Sequence, residues 1–145
     1  MRFKNNEDRA LAVKCFAENM NEEFRATLQY ICHRISARHQ DEVLADSFKS
    51  AALDEMSHIL FFSDVLAKCG EQARFTDWPI DRSDDIAGML KSDIALEQKA
   101  GERYRGQLEL FADYPELTAI LKSVLADEVD HEEIFKEHLQ GLHRS

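Results

Sequence analysis

Asp54-Glu55-Met56-Ser57-His58 and Asp127-Glu128-Val129-Asp130-His131 are the two stretches on which the reading of this chain turns. In each, a glutamate precedes a histidine by three residues, a spacing that sets both side chains on one face of an α-helix. Each pair has a distant companion: Glu23 lies 32 residues before Glu55, and Glu97 lies 31 before Glu128. Both companions are followed seven residues later by tyrosine, Tyr30 and Tyr104. The halves EFRATLQY…DEMSH and EQKAGERY…DEVDH form a weak internal repeat.

Spacing alone is a poor signal, because with 15 glutamates about one histidine in ten has a glutamate three residues before it. The helical neighbours say more. Glu23 shares its face with Phe16, Met20, Thr27 and Tyr30, and Glu55 with Phe48, Ala51, Ala52, Ile59 and Phe62. Glu97 lies with Leu90, Ile94, Ala100 and Tyr104, and Glu128 with Leu121, Val124, Leu125 and Phe135. All four carboxylates sit on stripes that must face a core. Uncompensated, each would cost several kcal/mol to bury. Two divalent cations would compensate them, with each Glu/His pair aiming a carboxylate and an imidazole at one ion and Glu23 and Glu97 completing the set. Mixed oxygen and nitrogen ligation of two close metals suits iron or manganese, and zinc less well for redox work. Asp54 and Asp127 are candidates to orient the imidazoles through their second nitrogens, and Tyr30 and Tyr104 to hydrogen-bond the carboxylates. The competing reading is a metal-free bundle whose core glutamates and histidines pair with each other. Glu22, beside mainly polar neighbours, is expected at the surface.

Working outward, apolar residues recur at three and four along nearly the whole chain, without sustained strand alternation. The pattern predicts a first helix over about Asn6–Arg38, carrying Leu11, Val13, Phe16, Met20, Phe24, Leu28 and Ile31, and a second from Glu42, capped by Asp41, to Cys69 before Gly70. Residues 71–83, with Trp78-Pro79, carry no helical stripe and read as a connection. A third helix opens at Ser83-Asp84-Asp85 and ends near Ala112; a fourth starts with Pro115 in its first turn and runs to about Gln140, ahead of Gly141. A 27-residue helix is about 40 Å long, and a 13-residue connection reaches roughly the same distance when extended. The expected fold is therefore all-α: a four-helix bundle with one long crossover between parallel helices two and three.

Composition narrows the function. The 145 residues suit a single domain spanning 1–145, and 44% apolar with 32% charged is globular composition. A formal charge of −10 argues against nucleic-acid or anionic-membrane partners. The polar start MRFKNNEDR is no signal peptide, and Cys15, Cys32 and Cys69 form no CxxC, so a cytoplasmic setting is expected. The thiols are expected to be buried or idle. His33, His39, His138 and His143 are expected to be solvated, and Arg103 and Arg105 to serve surface pairs.

One glutamate from each of two helices plus an ExxH from each of the others resembles the ferritin-like di-iron carboxylate superfamily. ALEQ at Ala95–Gln98, DEMSH and DEVDH resemble segments of bacterioferritin, and the chain is similar to rubrerythrin relatives too. The resemblance covers about Asn6 to Gln140. It implies that Glu23, Glu55, His58, Glu97, Glu128 and His131 hold two iron ions, with manganese as the alternative. It further implies oxidation of Fe(II), or reduction of O₂ or hydrogen peroxide, at that centre. Rubrerythrin's rubredoxin cysteines are missing, so electrons would come from an external donor or free Fe(II). Rubrerythrin's extra glutamate would fall at Ala100, and Glu102 nearby lies on a polar face. Met56 stands where bacterioferritin has its haem-ligating methionine, although methionine is also a common packing residue. Leu53, Met56 and Leu60 lie off the Glu55 stripe, which favours a homodimer seam with or without haem. An iron-storage shell and a non-catalytic di-metal interaction bundle are the alternative functions.

Overall fold

The computed structural model describes every residue except Trp78 and Ser145, and the backbone alone of His143 and Arg144. Four helices follow in order: α1 (Asn6–Ala37), α2 (Glu42–Lys68), α3 (Ile86–Leu110) and α4 (Pro115–Arg144). Their starts are chemically explicit. The side chains of Asn5, Asp41 and Asp85 accept from the backbone N–H of Asp8, Leu44 and Gly88 at 2.7, 3.0 and 2.9 Å, satisfying donors that an α-helix leaves open. Gly70 stops α2 at φ 78°, a conformation that glycine adopts without a Cβ penalty. Gly141 does not stop α4, which continues to Arg144 and past the expected end at Gln140. A helical glycine costs only about 1 kcal/mol against alanine, too little to end a helix where no reversed backbone is demanded. The opening of α3 also differs slightly: Asp85 is the cap, so Ser83 and Asp84 lie outside the helix.

Side-chain pairs set the topology. Phe16 meets Phe62 and Tyr30 meets Phe48, so α1 and α2 are antiparallel. Asn19 and Gln107 exchange two hydrogen bonds of 2.7 and 2.8 Å, while His33 meets Asp93. Hence α3 is also antiparallel to α1, and α2 and α3 run parallel. Lys68–Glu116 at one end and Ser47–His138 at the other make α4 antiparallel to α2. The crossover thus joins helices of like direction, as its length requires.

Two apolar clusters fill the interior. One is built around Phe16, Met20, Phe62, Leu66, Phe111, Leu117 and Leu121, the other around Tyr30, Leu44, Phe48, Met89, Leu90 and Phe135. Between them lies a polar layer, described below. Leu11, Leu28 and Ile31, expected on the α1 stripe, are instead exposed at 37–41%. The buried line of α1 runs through Ala12, Phe16, Met20, Glu23, Thr27, Tyr30 and Ala37, and those three residues lie beside it.

His33 is a larger departure. Expected to be solvated, it is fully buried. Its Nδ1 lies 2.6 Å from Asp93 of α3, and its Nε2 lies 3.0 and 3.1 Å from the carbonyl and carboxylate of Asp81 in the crossover. Gln29 bridges the same groups, donating to Asp93 (2.7 Å) and accepting from the Asp81 backbone N–H (2.9 Å). Farther back, Asn21 donates to the Arg74 carbonyl and accepts from the Thr76 N–H. The crossover is therefore tied to α1 along its length, with Glu71 paired to Arg9 and Phe75 packed on Phe24 as well. Burial pulls the His33 pKa down, but Asp93 and Asp81 outweigh it, so the net shift is upward. Of the other histidines, His39 is exposed, His138 is half-buried against Ser47, and the side chain of His143 lies outside the described residues. Substituting His33→Ala leaves Asp93 buried with Gln29 as its remaining strong partner. Urea denaturation should show a loss of about 3 kcal/mol, the scale for breaking one side of a buried pair. Early proteolysis between Arg74 and Arg82 should accompany it.

Candidate metal centre

The polar layer gathers Glu23 from α1, Glu55 and His58 from α2, Glu97 from α3 and Glu128 and His131 from α4, all at 4% exposure or less. Ligand atoms of Glu23, Glu55, His58 and Glu128 lie within 4.8 Å of one another, as do those of Glu55, Glu97, Glu128 and His131. Glu55 and Glu128 belong to both groups. The arrangement is a two-centre site with two carboxylates common to its halves.

The surrounding hydrogen bonds cross between the sequence halves. His58 Nε2 lies 2.8 Å from Asp127, and His131 Nε2 lies 2.8 Å from Asp54. An ionised aspartate can only accept, so each Nε2 carries a proton and each neutral ring turns a bare Nδ1 inward. Tyr30 donates to Glu97 and Tyr104 to Glu23. These four contacts place Asp54, Asp127, Tyr30 and Tyr104 where the sequence anticipated partners for imidazole and carboxylate.

What remains unpaired is decisive for the chemistry. Glu23 Oε2, both oxygens of Glu55, Glu97 Oε2, Glu128 Oε1 and the Nδ1 atoms of His58 and His131 are buried without a hydrogen-bond partner. The His58 Nδ1 approaches Glu23, Glu55 and Glu128 at 3.2–3.5 Å, and the His131 Nδ1 approaches Glu55 at 2.9 Å and Glu97 at 3.5 Å, none aligned as a hydrogen bond. With both rings neutral, these lone pairs would face one another in a layer flanked by apolar clusters. That is costly unless cations or protons occupy the gap.

Protons can play that part as well as metal ions. Burial and the charges of Glu55 and Glu97 push the Glu128 carboxyl well above the usual range. Glu97 rises through burial and the charge of Glu55. Burial acts to raise Glu55, but the two imidazoles prevail and hold it low. Burial acts to lower both histidines; Glu55 and Asp127 nevertheless raise His58, and Glu55 and Glu97 bring His131 to about 11. Divalent cations fit this donor set of carboxylate oxygens and imidazole nitrogens.

Other expected residues fall elsewhere. Met56 is 49% exposed on the outer side of α2, and Glu102 is exposed. Glu22 is half-buried, 3.8 Å from Arg25. Cys15 and Cys32 are half-buried and Cys69 is buried, all as free thiols. Arg103, expected in a surface pair, is instead half-buried, its guanidinium 5.0 Å from the centre of the Tyr104 ring. Its helical neighbours are mixed, and only the fold shows that it flanks the carboxylates.

Fold and site together define a four-helix bundle of the di-metal carboxylate kind. Residues 14–145 match the model of the ferritin-like domain, and the chain belongs to that family. Among solved structures it is similar to the bacterioferritin of Desulfovibrio desulfuricans, studied for its diiron site in different catalytic states (TM-score 0.87, 18% identity, 95% of this chain and 83% of that one). It is similar also to a ferritin-like, diiron-carboxylate protein from Bacillus anthracis (0.85, 23%, 93% and 99%) and to a mycobacterial bacterioferritin (0.80, 20%, 92% and 85%). Comparison with curated proteins finds no significant match.

Three outcomes test the geometry. Metal uptake must displace the proton that His131 holds up to about pH 11, so Mn(II) or Fe(II) added at pH 7 in weak buffer should acidify the solution, with apparent affinity rising with pH. In the metal-free protein, the stability contributed by charged His131 is complete below its ordinary pKa of 6.5 and is lost as pH rises through about 11. Its ring signals should therefore stay in the charged form from pH 7 to 9 by NMR. Asp54→Asn or Asp127→Asn should weaken metal affinity about 10- to 100-fold, as read by competition with a chelator, because the imidazole exchanges a charged acceptor for a neutral amide that no longer raises its basicity.

Proposed function

We propose that the chain is a di-iron protein that oxidises Fe(II), or reduces O₂ or hydrogen peroxide, at a centre held by Glu23, Glu55, His58, Glu97, Glu128 and His131. The observation that carries this is the set of unpartnered carboxylate oxygens and imidazole nitrogens converging in a buried layer between two apolar clusters. Iron bound there would supply one-electron chemistry between its ferrous and ferric states, with manganese as the alternative occupant.

The chain's own residues have separable tasks. Four carboxylates would balance the charge of two divalent ions, and Glu55 and Glu128, which belong to both groups, would serve both. Asp127 and Asp54 fix the tautomer of His58 and His131, so that a bare Nδ1 points inward. Tyr30 and Tyr104 hold one oxygen each of Glu97 and Glu23, leaving the other free to ligate. Their pKa values are raised well above 10 by burial first, so both keep their protons on Oη. No protein nucleophile is required.

No helix among the described residues is long and apolar enough to cross a membrane, and a cytoplasmic setting suits the free thiols. Electrons would come from free Fe(II) or an external donor. The exposed face of Leu28, Ile31 and Ile35 on α1 with Leu53, Met56 and Leu60 on α2 supports assembly as a homodimer or larger. The same face supports the second reading, an iron-storage shell subunit; a haem at Met56 would sit at such a seam. A non-catalytic di-metal bundle is the third.

Anaerobic Fe(II) titration followed by a peroxide or O₂ pulse tests the proposal. About two irons per chain and prompt growth of ferric absorbance are expected, and Glu55→Ala or Glu128→Ala should abolish binding at one or both ions. A folded protein that takes up no stoichiometric metal, or either variant retaining two tight irons, would refute the assignment. Size-exclusion chromatography separates dimer from shell.

A further inference from the structure

Between α1 and α3 a cavity of about 170 Å³ leads from exposed Lys99 and half-buried Arg103 to buried Glu97 and Glu128. Both helices present alanine along it, Ala26 and Ala100, and these small side chains leave the passage open. The space is that of a small ligand.

The outer end of this cavity carries one carboxylate, Glu22, against three cations, Arg25, Lys99 and Arg103. Arg25 is paired with Glu22 at 3.8 Å. Among the described residues, neither Arg103 nor Lys99 has an ion pair within 4 Å, and the Arg103 Nε is buried without a hydrogen-bond partner. The ring of Tyr104 holds the guanidinium in place. Burial acts to lower the Arg103 pKa, but Tyr104, Glu22 and Glu128 prevail, so its charge is secure.

The charge balance of the loaded site, resting on the di-metal reading above, gives this arginine its meaning. Glu23, Glu55, Glu97 and Glu128 contribute four negative charges, which two divalent ions cancel. Asp54 and Asp127 lie on the α2–α4 side, 46% and 42% exposed, where water screens them. On the α1–α3 side Arg103 is then left as a poorly hydrated cation beside a neutral cluster. The geometry points to an anion subsite: the α1–α3 cavity takes a small inorganic anion next to the metal pair, and Arg103 is the residue that positions it. Among oxidants, such a subsite favours a small, strongly hydrogen-bonding one such as hydrogen peroxide, and it repels cations.

The test uses azide as the probe and Co(II) as a spectroscopically visible, redox-quiet occupant. Wild-type protein should bind two Co(II), and azide should change the visible spectrum with an affinity that falls as salt rises. Arg103→Gln should weaken azide about tenfold or more, the scale of one charge-assisted hydrogen bond, with cobalt stoichiometry unchanged. Arg103→Lys, which keeps the charge, should recover part of that affinity. Ala100→Leu, filling the passage, should abolish azide binding while sparing cobalt. An Arg103→Gln variant that holds two cobalt ions and binds azide like wild type would overturn the inference. So would wild-type protein that binds cobalt but no azide, and in both cases the metal centre itself would stand. Wild-type protein that binds no cobalt would overturn both.

Discussion

Four carboxylates inside an apolar bundle are the constraint to which the rest of the structure answers. A buried, uncompensated carboxylate costs several kcal/mol, and a small domain has only about 5–15 kcal/mol of net stability. Glu23, Glu55, Glu97 and Glu128 could not persist on core-facing stripes unless something of opposite charge met them there. The apolar clusters on either side make the problem sharper, because they limit the water that can solvate the layer. They also make the solution effective, since electrostatic interactions strengthen as water is removed.

The cross-bracing is the second consequence. Each imidazole of one half is oriented by an aspartate of the other, and each tyrosine of one half donates to a glutamate of the other. Neither half can assemble its own ligand environment. The weak internal repeat is thus tied to the site through approximate two-fold pairing, and both centres share Glu55 and Glu128. Asymmetry enters at the outside: Arg103 flanks the carboxylates between α1 and α3, whereas the opening between α2 and α4 is bordered by Asp46, Asp54, Asp127 and Asp130.

Holding parallel α2 and α3 in register requires a crossover with little apolar surface of its own. Polar anchors do that work. Asn21 holds residues 74 and 76, and the Gln29–His33–Asp93–Asp81 network holds the far end. A buried network of this kind is useful because each member is satisfied, and it specifies one path for the backbone.

The helices, the Asp41 cap, the Gly70 stop and the six residues of the polar layer were legible in the sequence because each follows from local rules. Helical periodicity puts Glu23 and Glu97 on the same faces as Phe16 and Tyr104, and a three-residue step puts Glu55 with His58. Only the tertiary structure decided what those faces meet. His33 has no partner at helical spacing, since Asp93 lies 60 residues away and Asp81 in an irregular segment. Arg103 looks like a surface cation until α1 and α3 close around it. Which aspartate serves which histidine also depends on the packing, because orienting contacts run between helices that the chain joins only through a long crossover. Spacing along one helix is local and periodic, whereas partnership across a bundle is settled by how four faces pack, and that information is distributed over the whole core.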